Sequence, residues 1–142
     1  MVREAWLTAW SPDMPDYFRY MSELTGRTGR ADLVSLYSGF RRGKATFTQC
    51  CNHMFQNLCA MGAKAAMVLI SDACFRTPGS PLFGCRPVLF VHDEEVLSCP
   101  IDHDVPAAAA ELSRLMIAGM SQYINDVKIE ADCDIMDRWG KG

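Results

Sequence analysis

Three consecutive acidic residues follow an apolar run near residue 90 and form the sharpest chemical feature of the sequence. The apolar residues 87–91 precede His92, and Asp93, Glu94 and Glu95 come next. Neighbouring carboxylates repel one another unless cations neutralise them. Mg²⁺ is held by one or two carboxylates together with substrate phosphates. The pattern therefore predicts a magnesium site at Asp93 and Glu94, and a solvated acidic turn is the alternative.

A second feature is a polar row at i, i+4 spacing in the proline-free segment 44–74. The row comprises Lys44, Thr48, Asn52, Gln56 and Lys64. The remaining residues are largely apolar, which predicts one long buried helix with a polar stripe. Long amides can donate and accept hydrogen bonds at base edges in the minor groove. Asn52 and Gln56 are therefore candidate DNA contacts, and a solvent-facing stripe is the alternative.

Basic residues cluster just before this row. They are Arg27, Arg30, Arg41, Arg42 and Lys44, and Asp32 alone opposes them. The net charge of −3 argues against a freestanding nucleic-acid binder, because Lys and Arg supply most of that affinity. Arg41, Arg42 and Lys44 are nevertheless candidate DNA-binding residues, and a solvated arginine-rich loop is the alternative.

The elements that must position these residues can be read from apolar periodicity and turn formers. The pattern predicts helices over 3–10 and 16–24, a strand over 33–37 within a basic hairpin, the helix over 44–74, strands over 87–91 and 96–99, a helix capped by Asp104 that runs to Tyr123, and a half-buried strand over 127–133. This order predicts an α+β fold in one domain over residues 1–142.

Composition excludes several classes of protein. The 142 residues are 49% apolar and 22% charged, unlike a disordered or collagen-like chain. No uninterrupted apolar run reaches the ~18 residues of a membrane span, and no signal peptide is evident, so we expect a cytoplasmic protein without a membrane partner. The seven cysteines contain no CxxC pair, which predicts reduced core residues.

Together these motifs resemble, in type and in order, those of one protein family. The run 87–97, an apolar strand leading into His92, Asp93 and Glu94 and then a second apolar strand, is similar to motif C of family A DNA polymerases. Asn52 and Gln56 match the Asn-x-x-x-Gln helix segment of that family upstream of motif C. The helix over 105–123, the strand over 127–133 and Trp139 follow its C-terminal order, so the resemblance covers roughly residues 5–140.

The resemblance implies a role for each matched residue. Asp93 would be a catalytic metal-binding aspartate of the palm, and His92 and Glu94 would lie against the primer 3′ end. Asn52 and Gln56 would contact the minor groove near the new base pair. Residues 57–61 and Thr48 depart from the family pattern, which usually has Gly-Thr-Ala-Ala-Asp and an arginine there.

The family needs more than these residues supply. A two-metal site requires a second aspartate on motif A and a fingers helix that grips the incoming triphosphate. We therefore expect the C-terminal palm piece of a split polymerase in a bacterial or phage-infected cell. Its partners would be a second fragment with motif A, fingers and thumb, primer-template DNA and deoxynucleoside triphosphates, and it would share two Mg²⁺ ions with that fragment.

Two other interpretations of the sequence remain open. One is a non-catalytic DNA-binding or interaction subunit derived from a polymerase palm. The other is a metal-dependent phosphohydrolase of the HD type that uses His53, the His92-Asp93 pair and Asp132. That family places its His-Asp pair on a helix, whereas residues 88–91 favour a strand.

Overall fold

The computed structural model describes residues 14–140, so the predicted helix over 3–10 lies outside it, as does the side chain of Arg27. Its elements are α1 (Pro15–Thr25), β1 (Arg30–Val34), β2 (Arg41–Thr46), α2 (Phe47–Phe75), β3 (Arg86–Val91), β4 (Glu94–Ser98) and α3 (Val105–Met120). The α+β prediction is confirmed. Contacts divide the chain into two compact units, one ending at Asn57 and the other beginning at Leu58.

The core of the first unit lies between α1, the β1–β2 hairpin and the start of α2. Pro15 occupies the first turn of α1, where its missing N–H costs nothing. Phe18 and Met21 of α1 are buried with Leu33 of β1 and Cys50 of α2. The hydroxyl of Tyr17 donates a hydrogen bond to the Cys51 carbonyl, and burial raises the pKa of Tyr17 to about 12.

The predicted basic hairpin is confirmed with a shifted boundary. Strands β1 and β2 pair antiparallel, with Val34 opposite Arg41. The first strand ends at Val34 instead of Tyr37 because the chain turns immediately afterwards. The Ser35 N–H donates to the Phe40 carbonyl (2.9 Å), and Gly39 takes a positive φ of 65° that glycine adopts without strain.

Lys44 lies in β2, so its predicted place on the helix row is wrong. The pairing skips between Ala31 and Leu33, which marks a bulge, and Lys44 there has a φ of 54°. The Lys44 N–H donates to Asp32 Oδ1 (2.8 Å), and its carbonyl accepts from Arg30 Nη1 (3.0 Å). These long-range bonds satisfy the backbone of Lys44 outside a helix, and α2 begins only at Phe47.

The core of the second unit joins the later part of α2 to α3. Buried Ile70 and Cys74 of α2 cluster with Ala108 and Leu115 of α3. The predicted cap of α3 is confirmed, because Asp104 Oδ1 accepts from the Ala107 N–H (3.2 Å). The helix ends at Met120, a little before the expected end.

Small residues let α2 and α3 approach each other closely. A Cβ on Gly119 would lie 2.4 Å from the Ala66 Cα, and one on Gly62 would lie 2.6 Å from the Met120 Sδ. Real Cβ atoms do not tolerate contacts this short. The crossing therefore depends most on Gly119, which meets backbone atoms, whereas the flexible Met120 side chain could move away from a Cβ at position 62.

The prediction that α2 is buried needs correction. Only 28% of the most apolar 18-residue stretch of the helix is buried. Phe55, Val68 and Phe75 are more than half exposed. Among the described residues, α2 is the one helix long and apolar enough to cross a membrane, with a mean hydropathy of 1.6. Core helices of proteins outside membranes also have this composition, so length and hydropathy do not assign α2 to a membrane.

The predicted strand over 127–133 is absent from the structure, which shows no regular element there. The alternation of apolar and polar residues is present in the sequence, but a strand also needs a hydrogen-bonding partner. Among residues 14–140, β3 and β4 pair with each other and with no third strand. The local pattern alone therefore does not produce a strand.

We predict that Gly119→Ala lowers the free energy of unfolding by about 1–3 kcal/mol, the usual cost of overpacking. The added methyl group meets backbone atoms of Ala66, which cannot move as a side-chain tip can. Urea unfolding measures the effect. The control is Gly140→Ala, whose added Cβ meets nothing within 4 Å. Equal stability of the two variants would contradict the close crossing.

Candidate functional site

The predicted strand pair around the acidic residues is confirmed. Strand β3 pairs antiparallel with β4, and Val91 lies opposite Glu94. His92 and Asp93 form the two-residue turn between the strands, so β4 begins earlier than expected from its apolar residues. The turn places His92, Asp93 and Glu94 together at one end of the second unit's sheet.

His92 has a backbone conformation that L-residues rarely adopt. Its φ is 58°, in the left-handed region. Two-residue hairpin turns need a positive φ at this position, where glycine is usual. A non-glycine residue there carries a strain of about 1–2 kcal/mol. Strain of this kind is often found at functional sites, which is consistent with a functional role for this turn.

The three carboxylates have different environments. Asp93 and Glu94 are exposed, and Glu94 Oε1 accepts a hydrogen bond from Trp139 Nε1 (3.0 Å). Glu95 points to the opposite face of β4, as successive strand residues do. Its Oε2 is buried without a hydrogen-bond partner, and burial raises the pKa of the Glu95 carboxyl. Asp93 and Glu94 therefore remain the candidate metal ligands.

These two carboxylates fit part of a magnesium site. They offer the oxygen ligands that Mg²⁺ prefers, at a two-residue turn open to solvent. No group of three or more His, Cys, Asp or Glu side chains between residues 14 and 140 is arranged to hold a metal ion. Further oxygen ligands would have to come from substrate phosphates or from another polypeptide.

The candidate DNA-binding residues lie in the first unit. Asn52 and Gln56 are exposed on successive turns of α2, and neither side chain hydrogen-bonds to any described residue. Arg41 and Lys44 are exposed on β2, and Arg42 is half-buried. The amide and cationic groups are therefore available to a ligand, except that part of Arg42 is covered.

The hairpin tip adds residues that the sequence analysis missed. Phe40 is 58% exposed, and its ring stacks on the His53 ring with centroids 6.2 Å apart. Leu36 is also almost fully exposed. The aromatic Phe40 immediately before Arg41 and Arg42 was the available signal, because exposed aromatic rings beside basic groups suit unpaired bases.

His53 has a structural position that weighs against the phosphohydrolase reading. It is 4% exposed, and its Nε2 lies 2.9 Å from Ser35 Oγ, so it ties the hairpin to α2. The other proposed ligands, His92 and Asp93, lie on a strand turn instead of a helix. The third, Asp132, lies in a segment without regular structure.

We predict that His92→Gly raises the free energy of unfolding by about 1 kcal/mol, because glycine accepts the positive φ without strain. Urea unfolding measures the change. The control Ser98→Gly, in extended β4, should lower stability by about 0.5–1 kcal/mol. A stability loss of equal size in both variants would contradict the strained turn.

We predict that Glu95→Gln stabilises the protein at pH 7 and that this advantage disappears near pH 4. Because folding raises the pKa of Glu95, the folded state binds the proton more tightly than the unfolded state. Wild-type stability therefore falls as the pH rises above the unfolded pKa, and glutamine removes this loss. Urea unfolding from pH 4 to 8 tests it, with exposed Asp102→Asn as the control. A pH-independent effect would contradict the burial argument.

Comparisons of the chain with protein-family models, curated proteins and solved structures find no match.

Proposed function

We propose that this chain contributes the motif C part of a family A DNA polymerase and acts with a second polypeptide that carries motif A and the fingers. The observation that carries the proposal is the His92-Asp93-Glu94 turn between two antiparallel strands. The reaction is templated nucleotidyl transfer, in which the primer 3′ hydroxyl attacks the α-phosphate of a deoxynucleoside triphosphate and pyrophosphate leaves.

Exposed apolar surface on β3 supports the proposal that a second polypeptide binds there. Val88 is 59% exposed and Leu89 is 40% exposed, although a run of consecutive apolar residues is typical of a strand buried on both faces. The outer edge of β3 has no strand partner among residues 14–140. An open edge with apolar side chains favours pairing with another strand. In our proposal the second polypeptide supplies that strand.

In the proposed site, Asp93 is the principal metal ligand. Its carboxylate forms no hydrogen bond with the described chain, whereas the Trp139 indole N–H occupies one oxygen of Glu94. Bound Mg²⁺ supplies Lewis-acid stabilisation of the charge on the transferring phosphoryl group. His92 and Glu94 contact the primer terminus, next to Asp93 on the turn.

The first unit supplies DNA contacts in this proposal. The amides of Asn52 and Gln56 donate to minor-groove acceptors, which all base pairs present in similar positions. Arg41, Arg42 and Lys44 neutralise phosphates. These contacts position the duplex by its shape and charge and leave sequence selection to base pairing.

We predict that Asp93→Ala reduces nucleotide incorporation by several orders of magnitude and barely changes DNA affinity, because it removes a metal ligand and no DNA contact. The measurement is Mg²⁺-dependent primer extension by the chain co-expressed with a motif A and fingers polypeptide. Exposed Asp102→Ala is the matched control, and the chain alone should not extend primers. Near wild-type extension by the Asp93→Ala complex would contradict the motif C assignment and favour a non-catalytic DNA-binding subunit.

We predict a smaller loss for Gln56→Ala. One hydrogen bond to a neutral partner contributes about 0.5–1.5 kcal/mol, so extension should slow roughly tenfold or less. Single-turnover extension in the same complex gives the rate. The control is Lys128→Ala, a change at an exposed residue of the second unit. A larger effect of Lys128→Ala, with extension unaffected by Gln56→Ala, would exclude the minor-groove role.

A further inference from the structure

Two cysteines lie side by side at the end of the strand pair where β3 begins and β4 ends. Cys85 immediately precedes β3 and Cys99 immediately follows β4, so they continue the pairing beyond Arg86 and Ser98. The Cys85 thiol donates a hydrogen bond to Cys99 Sγ, with the two sulfur atoms 3.1 Å apart. A disulfide bond is about 2.05 Å long, so a shift of about 1 Å would join them.

The two thiols differ in access. Cys85 is 0% exposed, whereas Cys99 is half-buried. A reagent from solvent therefore reaches Cys99 first. The hydrogen bond holds the Cys85 thiol against Cys99 Sγ, and a thiolate is the reactive form of a cysteine. Burial and this same bond raise the pKa of Cys85 to about 12, so Cys85 retains its proton until Cys99 has reacted.

We propose that Cys85 and Cys99 form a reversible disulfide by exchange with a small-molecule disulfide such as oxidised glutathione. This redox site is independent of the proposed polymerase function. The Cys99 thiolate attacks one sulfur of the oxidant, which forms a mixed disulfide and releases one glutathione thiolate. That thiolate takes the Cys85 proton, and Cys85 then attacks the Cys99 sulfur and releases the second glutathione thiolate. The second glutathione thiolate takes up a proton equal to the one that Cys99 released to solvent before its attack, so the two protein thiols are oxidised and one oxidised glutathione is reduced to two thiols.

The disulfide would close the strand pair at the end opposite the His92-Asp93 turn. Residues 86–98 would then form a loop joined at its base. A cross-link over a loop of this length restricts the unfolded chain, and it should raise the melting temperature by roughly 5–10 °C.

Two neighbouring thiols could compete for this pairing. Cys74 is buried, and burial, with smaller contributions from Cys99 and Glu95, raises the Cys74 pKa to about 11. Cys133 is an exposed residue, and partial burial of its thiol, followed by the charges of Asp134 and Cys99, raises its pKa. The sulfur-to-sulfur hydrogen bond distinguishes Cys85 and Cys99 from these alternatives.

The test treats the full chain with oxidised glutathione, alkylates the remaining thiols and maps disulfides by mass spectrometry. We expect a Cys85–Cys99 link that dithiothreitol reverses, with the rise in melting temperature stated above. Cys74→Ser and Cys133→Ser should retain the link. Cys85→Ser should instead accumulate one glutathione on Cys99, because the attacking thiol remains and its resolving partner is gone.

Three outcomes would overturn the proposal. They are a link that joins Cys99 to Cys74 or Cys133, glutathione that stays on Cys99 in the wild-type chain, and no loss of thiols at any glutathione concentration. If Cys85→Ser does not fold, Cys99→Ser still tests the proposal, because it changes only the half-buried member of the pair. That variant should take up no glutathione at Cys85.

Discussion

The close crossing of α2 and α3 is the constraint on which the second unit depends. At Gly119 the helices approach so closely that their backbones are in contact, and no side chain fits between them. This approach buries Ile70 and Leu115 in one core, against which Leu97 of β4 and Cys99 also pack. The strand pair that carries the acidic turn is thus supported by a helix crossing far from it in sequence.

In the first unit, hydrogen bonds from side chains, instead of a close helix crossing, attach α1 and the hairpin to α2. Tyr17 of α1 donates to the Cys51 carbonyl, and Ser35 of the hairpin bonds to His53. The Ser35–His53 bond is buried and the Tyr17 bond is partly buried, and burial makes a hydrogen bond costly to break. These two bonds attach α1 to α2 at Cys51 and the hairpin to α2 at His53, and the exposed Asn52 lies between those two residues in sequence.

Local signals predicted much of this fold. The strand pair around Asp93 combines two apolar runs with a two-residue turn, and α3 has an Asp cap and an early proline, so sequence neighbours determine both. The predictions for Lys44 and for residues 127–133 were wrong because distant atoms decide those segments. Lys44 is held by Asp32 and Arg30, and residues 127–133 pair with no strand of the described chain.

In the candidate site, too, some features could be predicted from local sequence and others depend on distant contacts. Residue types and spacing identified Asp93, Glu94, Asn52 and Gln56, and the structure leaves all four exposed. The different environment of Glu95 follows from strand alternation, but its burial depends on packing that the sequence does not show. The contact between Trp139 and Glu94 joins residues far apart in sequence, and no local pattern indicates it.

Two unmet requirements coincide in the strand pair. The turn concentrates the negative charge of Asp93 and Glu94, which a cation would relieve. Strand β3 also exposes Val88 and an edge that no strand within residues 14–140 pairs with, which a further strand would cover. A partner strand carrying another carboxylate would satisfy the edge but add to the repulsion, so its docking and the binding of a divalent cation would favour each other. In our proposal, assembly of the sheet and assembly of the metal site are therefore one coupled event.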